Sequence, residues 1–199
     1  LLVDAGVELL FHAWAAAVLR DGDRIGALVA ETKSGRVAIR ARAFVDGDGH
    51  YSGRIAFSPD GTHVVTAMQE NALHGWRLGE KPSHMRMTGY PAKVKSVSWS
   101  AKGKWLASSG APAAIVWPFQ SKDGPMGKAP LELGTRANIM VTQVCCHPAE
   151  EIAALGFADG MILVVRFADS KEVLLRRPGK GAISAMAWNK DGRQLAFGS

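Results

Sequence analysis

The stretch WSAKGKWLASSGAPAAIVW, residues 99–117, decides how the chain is read. Trp99 closes one apolar-alternating run, and SAKGK follows it as a turn. The run WLASSG then leads through a short Ala/Pro turn into a third run, AAIVW. Three short apolar runs joined by tight turns make an antiparallel meander. The same pattern stands on both sides: FSPDGTHVVTA at 57–67, CHPAEEIAALG at 146–156 and WNKDGRQLAFG at 188–198.

The equivalent positions Phe57, Trp99, Cys146 and Trp188 are 42, 47 and 42 residues apart. A self-similar unit of about 40–45 residues, each with four strands, is the signature of propeller blades. The first blade takes strands at 53–58, 63–67, 73–76 and 85–87, and the second takes 94–99, 105–108 and 114–117. An insert at 120–130 then runs to a short fourth strand, LEL. The third blade is a full set at 141–146, 152–156, 161–167 and 173–176. The fourth has only 183–188 and 194–197. A closed ring takes about seven blades. The three and a half read here leave a sheet edge unpaired, which invites a partner strand, self-association or aggregation.

Residues 1–50 have another rhythm. LLVDAG reads as the last turn of a helix stopped by Gly6, followed by a strand at 7–12. Residues 14–20, 25–32 and 37–40 read as a three-stranded meander. A short run at 43–46 ends in the loop DGDGH. The expected division is therefore 1–50 and 52–199. The chain begins at Leu1 rather than Met and ends two strands into a blade, so it is expected to be a fragment or a fusion of two pieces.

The chain carries a net charge of +6, with 24 basic and 18 acidic residues. Six basic and seven acidic residues fall in 1–50, so the rest carries +7. No basic run is interleaved with aromatics, so a solvated surface is expected rather than a nucleic-acid interface. The longest apolar stretch, 6–19, is interrupted by Glu8 and His12 and is too short to span a bilayer. Cys145 and Cys146 are adjacent and should point to opposite faces of a strand as buried thiols, which places the chain in the reducing cytoplasm. No metal is expected, because only His147 is near them. His12, His50, His63, His74, His84 and His147 form no ligand spacing, Ser108-Ser109-Gly110 lacks the frame of a nucleophile elbow, and Glu150-Glu151 reads as a solvated turn. No catalytic residue is assigned.

Two resemblances are specific enough to name. AGVELLFH followed by DGDRIGALVAETKSGRVAIRARAFVDGDG resembles flavin-dependent oxidoreductases of the glutathione-reductase-like superfamily. That resemblance implies an α/β domain whose meander leads into a loop beside FAD. Gly47, Asp48 and Gly49 would form the loop, with Asp48 in place of the usual threonine. The chain has no G-x-G-x-x-G fingerprint to hold the pyrophosphate. FAD is therefore expected only if this resemblance is functional, and otherwise no cofactor.

Residues 52–199 resemble the WD-repeat β-propeller family. The features that match are the aromatic closing each first strand, the Pro/Asp/Gly turn, and Trp76 and Trp117 closing third strands. MQENALHGWRL and SGAPAAIVWPFQSKDGPMGKAP are particularly similar to a bacterial group of that family. The repeats are degenerate: Trp-Asp is Trp76-Arg77 and Trp117-Pro118, and the Gly-His opening a blade is Gly89-Tyr90. Stability is thus expected from strand alternation and Trp packing rather than from the family's buried polar network. The whole reads as a mainly β chain, an incomplete propeller after a flavoprotein-like meander. Its expected role is a non-catalytic protein-interaction scaffold. The alternatives are a truncated FAD-dependent oxidoreductase and a fusion of unrelated fragments.

Overall fold

The structure is a computed structural model that describes residues 13–21, 24–41, 54–78, 83–121, 123–179 and 181–199. It divides into two compact units, Leu1–Asp46 and Gly47–Ser199. Every regular element among the described residues is a β-strand. The helix turn expected near Gly6, the strand at 7–12 and the run at 43–46 lie outside the described residues.

In the first unit β1 (Trp14–Asp21), β2 (Arg24–Thr32) and β3 (Gly35–Ile39) form a meander in the order β1-β2-β3. Alternating apolar residues put Ala27 and Val29 on one buried face. The β2–β3 turn closes with Thr32 Oγ1 donating to the Gly35 carbonyl at 2.7 Å. Beside it, Glu31 and Arg36 pair across the strands.

The second unit holds three four-stranded antiparallel sheets and one of two strands. The first blade is β4 (Arg54–Phe57), β5 (His63–Ala67), β6 (Leu73–Arg77) and β7 (Ser83–Met87). The second is β8 (Val97–Trp99), β9 (Trp105–Ser108), β10 (Ala114–Pro118) and β11 (Leu131–Leu133). The third is β12 (Val141–Cys146), β13 (Ile152–Phe157), β14 (Ile162–Arg166) and β15 (Glu172–Arg176). The fourth pairs β16 (Ala185–Trp188) with β17 (Leu195–Gly198). β5 is buried at all five positions, and β13 from Ala153 to Phe157, because blade packing covers both faces. One apolar cluster, with Leu73, Met85, Met87 and Leu106, joins blades one and two. A second, with Val116, Leu133, Leu155 and Phe157, joins blades two and three.

The same turn links the first two strands of most blades. Gly61 N donates to the Ser58 carbonyl, Gly103 N to that of Ser100, and Gly192 N to that of Asn189, at 2.9, 2.9 and 3.0 Å. These glycines have φ of 68°, 67° and 73°, a conformation that a Cβ disfavours. In the third blade Glu150 stands at this position, and a side chain does the work instead. His147 Nδ1 accepts from Ala149 N and Glu150 N at 3.2 and 3.0 Å.

Two strands start two or three residues later than their apolar runs predict. Lys95 N and Ser96 N donate to Ser109 Oγ at 3.1 and 3.0 Å, so the β8 ladder opens only at Val97. Ile183 N is taken by the Phe157 carbonyl of the third blade at 3.1 Å, so β16 opens at Ala185.

Candidate functional site

Adjacent blades are joined by one repeated contact. Trp99 Nε1 donates to the Ala56 carbonyl at 3.3 Å, Cys146 Sγ to that of Ser98 at 3.3 Å, and Trp188 Nε1 to that of Cys145 at 3.0 Å. Each donor closes the first strand of its blade. Each acceptor is the residue just before the equivalent position one blade earlier. Phe57, Trp99, Cys146 and Trp188 are therefore structurally equivalent, as their spacing predicts. Hydroxyls reinforce the seam: Cys146 N donates to Ser98 Oγ at 2.9 Å, and Val144 N to Ser96 Oγ at 3.1 Å. Burial pushes both thiols up, Cys146 to about 12, so neither is a ready nucleophile at neutral pH.

A polar network survives in the second blade, against the expectation of its loss. Trp117 Nε1 donates to Tyr90 Oη at 2.6 Å, Tyr90 donates to Ser108 Oγ at 2.6 Å, and Ser108 donates to the Ile115 carbonyl at 2.9 Å. The directions follow from the ends: indole only donates and carbonyl only accepts. Burial pushes the Tyr90 phenol up to about 12. Tyr90 thus stands at the centre of the relay, taking one hydrogen bond and giving one. Gly89-Tyr90 was the signal, but it registers only when tyrosine is allowed as a longer donor in the same place.

Ser58, Asp60 and His63 come close to one another, yet not as a triad. Ser58 Oγ donates straight to Asp60 Oδ1 at 2.6 Å, and His63 Nδ1 meets Thr62 Oγ1 at 2.8 Å. His63 packs against Phe119, with ring centroids 5.3 Å apart, and its Nε2 is buried without a hydrogen-bond partner among the described residues. Burial lowers the His63 pKa, and the Ser58 hydrogen bond lowers that of Asp60. The nucleophile is therefore on the carboxylate rather than the imidazole, and the arrangement holds a turn.

The other candidates are dispersed. His147 Nε2 donates to the Gly192 carbonyl at 3.1 Å and bridges blades three and four. His74 stacks on Trp76 with centroids 4.1 Å apart. With Ser83 and His84 they line an open hollow of about 360 Å³. Glu150 is exposed as expected, but Glu151 is not solvated: both carboxylate oxygens are buried without a partner among the described residues. No cluster of three metal-ligating side chains occurs among the described residues. No helix among them is long and apolar enough to cross a membrane. His12, His50 and the flavin-side candidates Gly47, Asp48 and Gly49 lie outside them.

Four-stranded sheets stapled blade to blade define the class, a partial propeller of the WD-repeat type. Solved chains that match number 747, too many for the fold by itself to name an activity. Among them is the crystal structure of the RRP9 WD40 repeats, 15% identical, with a TM-score of 0.58. The match covers 74% of this chain but only 44% of that one. No curated protein matches the sequence. The family model for FAD dependent oxidoreductases matches residues 1–146, and the chain belongs to that family. The match runs from before the meander through β12, across the first two blades.

That family implies FAD. A flavin pyrophosphate is held by a Gly-rich turn opening a helix. The described residues supply strands and turns only, and no G-x-G-x-x-G occurs in the chain. These residues do not fit the cofactor's phosphates, and no flavin step is derived from them.

Proposed function

We propose that the chain acts as a WD-repeat scaffold that binds other proteins through its inter-strand loops and strand edges, without catalysing a reaction itself. One observation carries this reading. Among the described residues of the second unit, Ser58, Tyr90, Ser96, Ser98, Ser108, Cys146 and His147 are engaged in holding turns and blades together. Loops and apolar strands are what remain for solvent. The compartment proposed is the cytoplasm, supported by two free cysteines.

The test is site-specific photo-crosslinking in cells from the exposed turn positions Glu150 and Lys190. Discrete protein adducts are expected. Absence of adducts at both, together with turnover by the purified chain, would overturn the scaffold reading.

The family match supports a second reading, a flavoprotein oxidoreductase with Gly47, Asp48 and Gly49 beside FAD. Stoichiometric flavin remaining through gel filtration would establish it. A colourless chain that takes up no added FAD would reject it.

A further inference from the structure

Outer strands differ sharply in how well they are covered. β7 buries Met85 and Met87, and the three-residue β11 buries Leu133. β15 is five residues long, and Val173, Leu174 and Leu175 are 58%, 50% and 51% exposed. A long apolar strand with one unpaired side is a template for another strand. Blades in this chain meet through their first strands, β4, β8, β12 and β16, and through their faces. The free edge of β15 is therefore not a surface on which a neighbouring blade stacks.

The ladder fixes which groups that edge presents. Arg166 N donates to the Lys171 carbonyl, and Val164 pairs with Val173 and Leu163 with Leu174. Bonded and non-bonded pairs alternate in an antiparallel ladder. Val173 is thus turned to β14, while Glu172 and Leu174 present N–H and C=O outward. The charge around the edge is one-sided. Asp169 is held by Arg166 and Lys171, and Glu172 by Arg136 at 2.5 Å. Arg176 donates to the Gly160 carbonyl at 2.8 Å, and Arg177 is exposed with no carboxylate partner among the described residues. Five cations stand against two carboxylates, both already paired.

We propose that β15 is a docking edge for an extended acidic segment of a partner protein, which adds as a fifth strand to the third blade. Backbone bonds at Glu172 and Leu174 hold the segment. Its alternate apolar side chains cover the exposed apolar side chains on one face of β15, and its carboxylates meet the cations. A second copy of this chain would bring the same surplus of positive charge to the edge. The inference rests on the scaffold reading.

The test titrates the full chain into a labelled peptide, Asp-Val-Glu-Ile-Asp-Val-Glu, and reads anisotropy. Saturable binding is expected. N-methylation of alternate peptide amides, which leaves the protein untouched, should weaken it about thirtyfold, since it removes the bonds at Glu172 and Leu174 and each is worth about 1 kcal/mol. Leu174→Pro removes an outward donor and spares the ladder; it should abolish binding, while Arg177→Glu weakens it about fivefold or more. Three outcomes overturn the proposal: no saturation, equal binding of the N-methylated peptide, or equal binding of a lysine-for-acid peptide. Concentration-dependent self-association abolished by Leu174→Pro would assign the edge to a second copy and likewise overturn it. If the peptide fails while cross-links from Glu150 or Lys190 persist, the edge is wrong and the scaffold stands.

Discussion

Tyr90→Phe removes one oxygen from the centre of the second blade and leaves the ring, so no cavity opens. Two hydrogen bonds of 2.6 Å disappear. Ser108 still donates to Ile115, but the Trp117 N–H loses its acceptor. At roughly 1 kcal/mol per net bond, with a partial desolvation penalty for the indole, the loss is about 2 kcal/mol. With an m-value of about 2 kcal/mol/M the urea midpoint falls by roughly 1 M. A double-mutant cycle isolates the effect. Trp117→Phe alone also loses ring volume, but Tyr90→Phe made in that background no longer strands an indole donor. The coupling should be about 1 kcal/mol. Equilibrium unfolding followed by fluorescence and circular dichroism measures both quantities. A midpoint shift below about 0.3 M at unchanged m, or a strictly additive cycle, would refute the relay as a stabilising network.

Other perturbations probe the seams. In Gly192→Ala the new Cβ would lie 1.9 Å from His147 Nε2 at a φ of 73°, so the imidazole must leave. A loss of about 2–4 kcal/mol is expected, with hydrogen exchange accelerating first in 185–198. The Cys146 pKa is raised from 9.0 to about 12, so the folded chain holds a proton there that the unfolded chain releases. Stability should be complete below pH 9 and decline between 9 and 12, less steeply in Cys146→Ala. His63 has a lowered pKa, so the unfolded chain takes up its proton first. Stability should fall as pH drops through 6.5, and His63→Gln should flatten that limb. In native buffer a thiol reagent should modify Cys145 before Cys146, and equal rates would contradict the buried seam.

The blade framework was legible because its signals are local. Alternation with the Pro-Asp-Gly, Ala-Lys-Gly and Lys-Asp-Gly turns predicts β5, β9 and β17 within a residue, and alternation predicts β12. The spacing of Phe57, Trp99, Cys146 and Trp188 predicts equivalence even where cysteine replaces an aromatic. What was not legible depends on a neighbouring blade. Ser96 and Ser98 look like ordinary strand serines until β12 is seen to bond to them. His147 carries no sign that it substitutes for a turn glycine. Glu151 looks solvated from its turn and is buried by its surroundings. Tyr90 stands where the repeat pattern has histidine, and its two partners, Ser108 and Trp117, are 18 and 27 residues away in sequence.

The seam between blades has a directional chemistry. In the contact repeated at each joint the donor is a side chain, an indole twice and a thiol once, while the acceptor is main chain. Any residue can therefore stand at the accepting position, and here Ala56, Ser98 and Cys145 do. Half of each joint is blind to sequence and answers only to register. Substitution at Ala56 or Cys145 leaves the accepting carbonyl in place, and substitution at Ser98 costs only the hydroxyl that takes the Cys146 N–H, whereas a one-residue insertion or deletion within the first hairpin of a blade would unfasten it from the blade before.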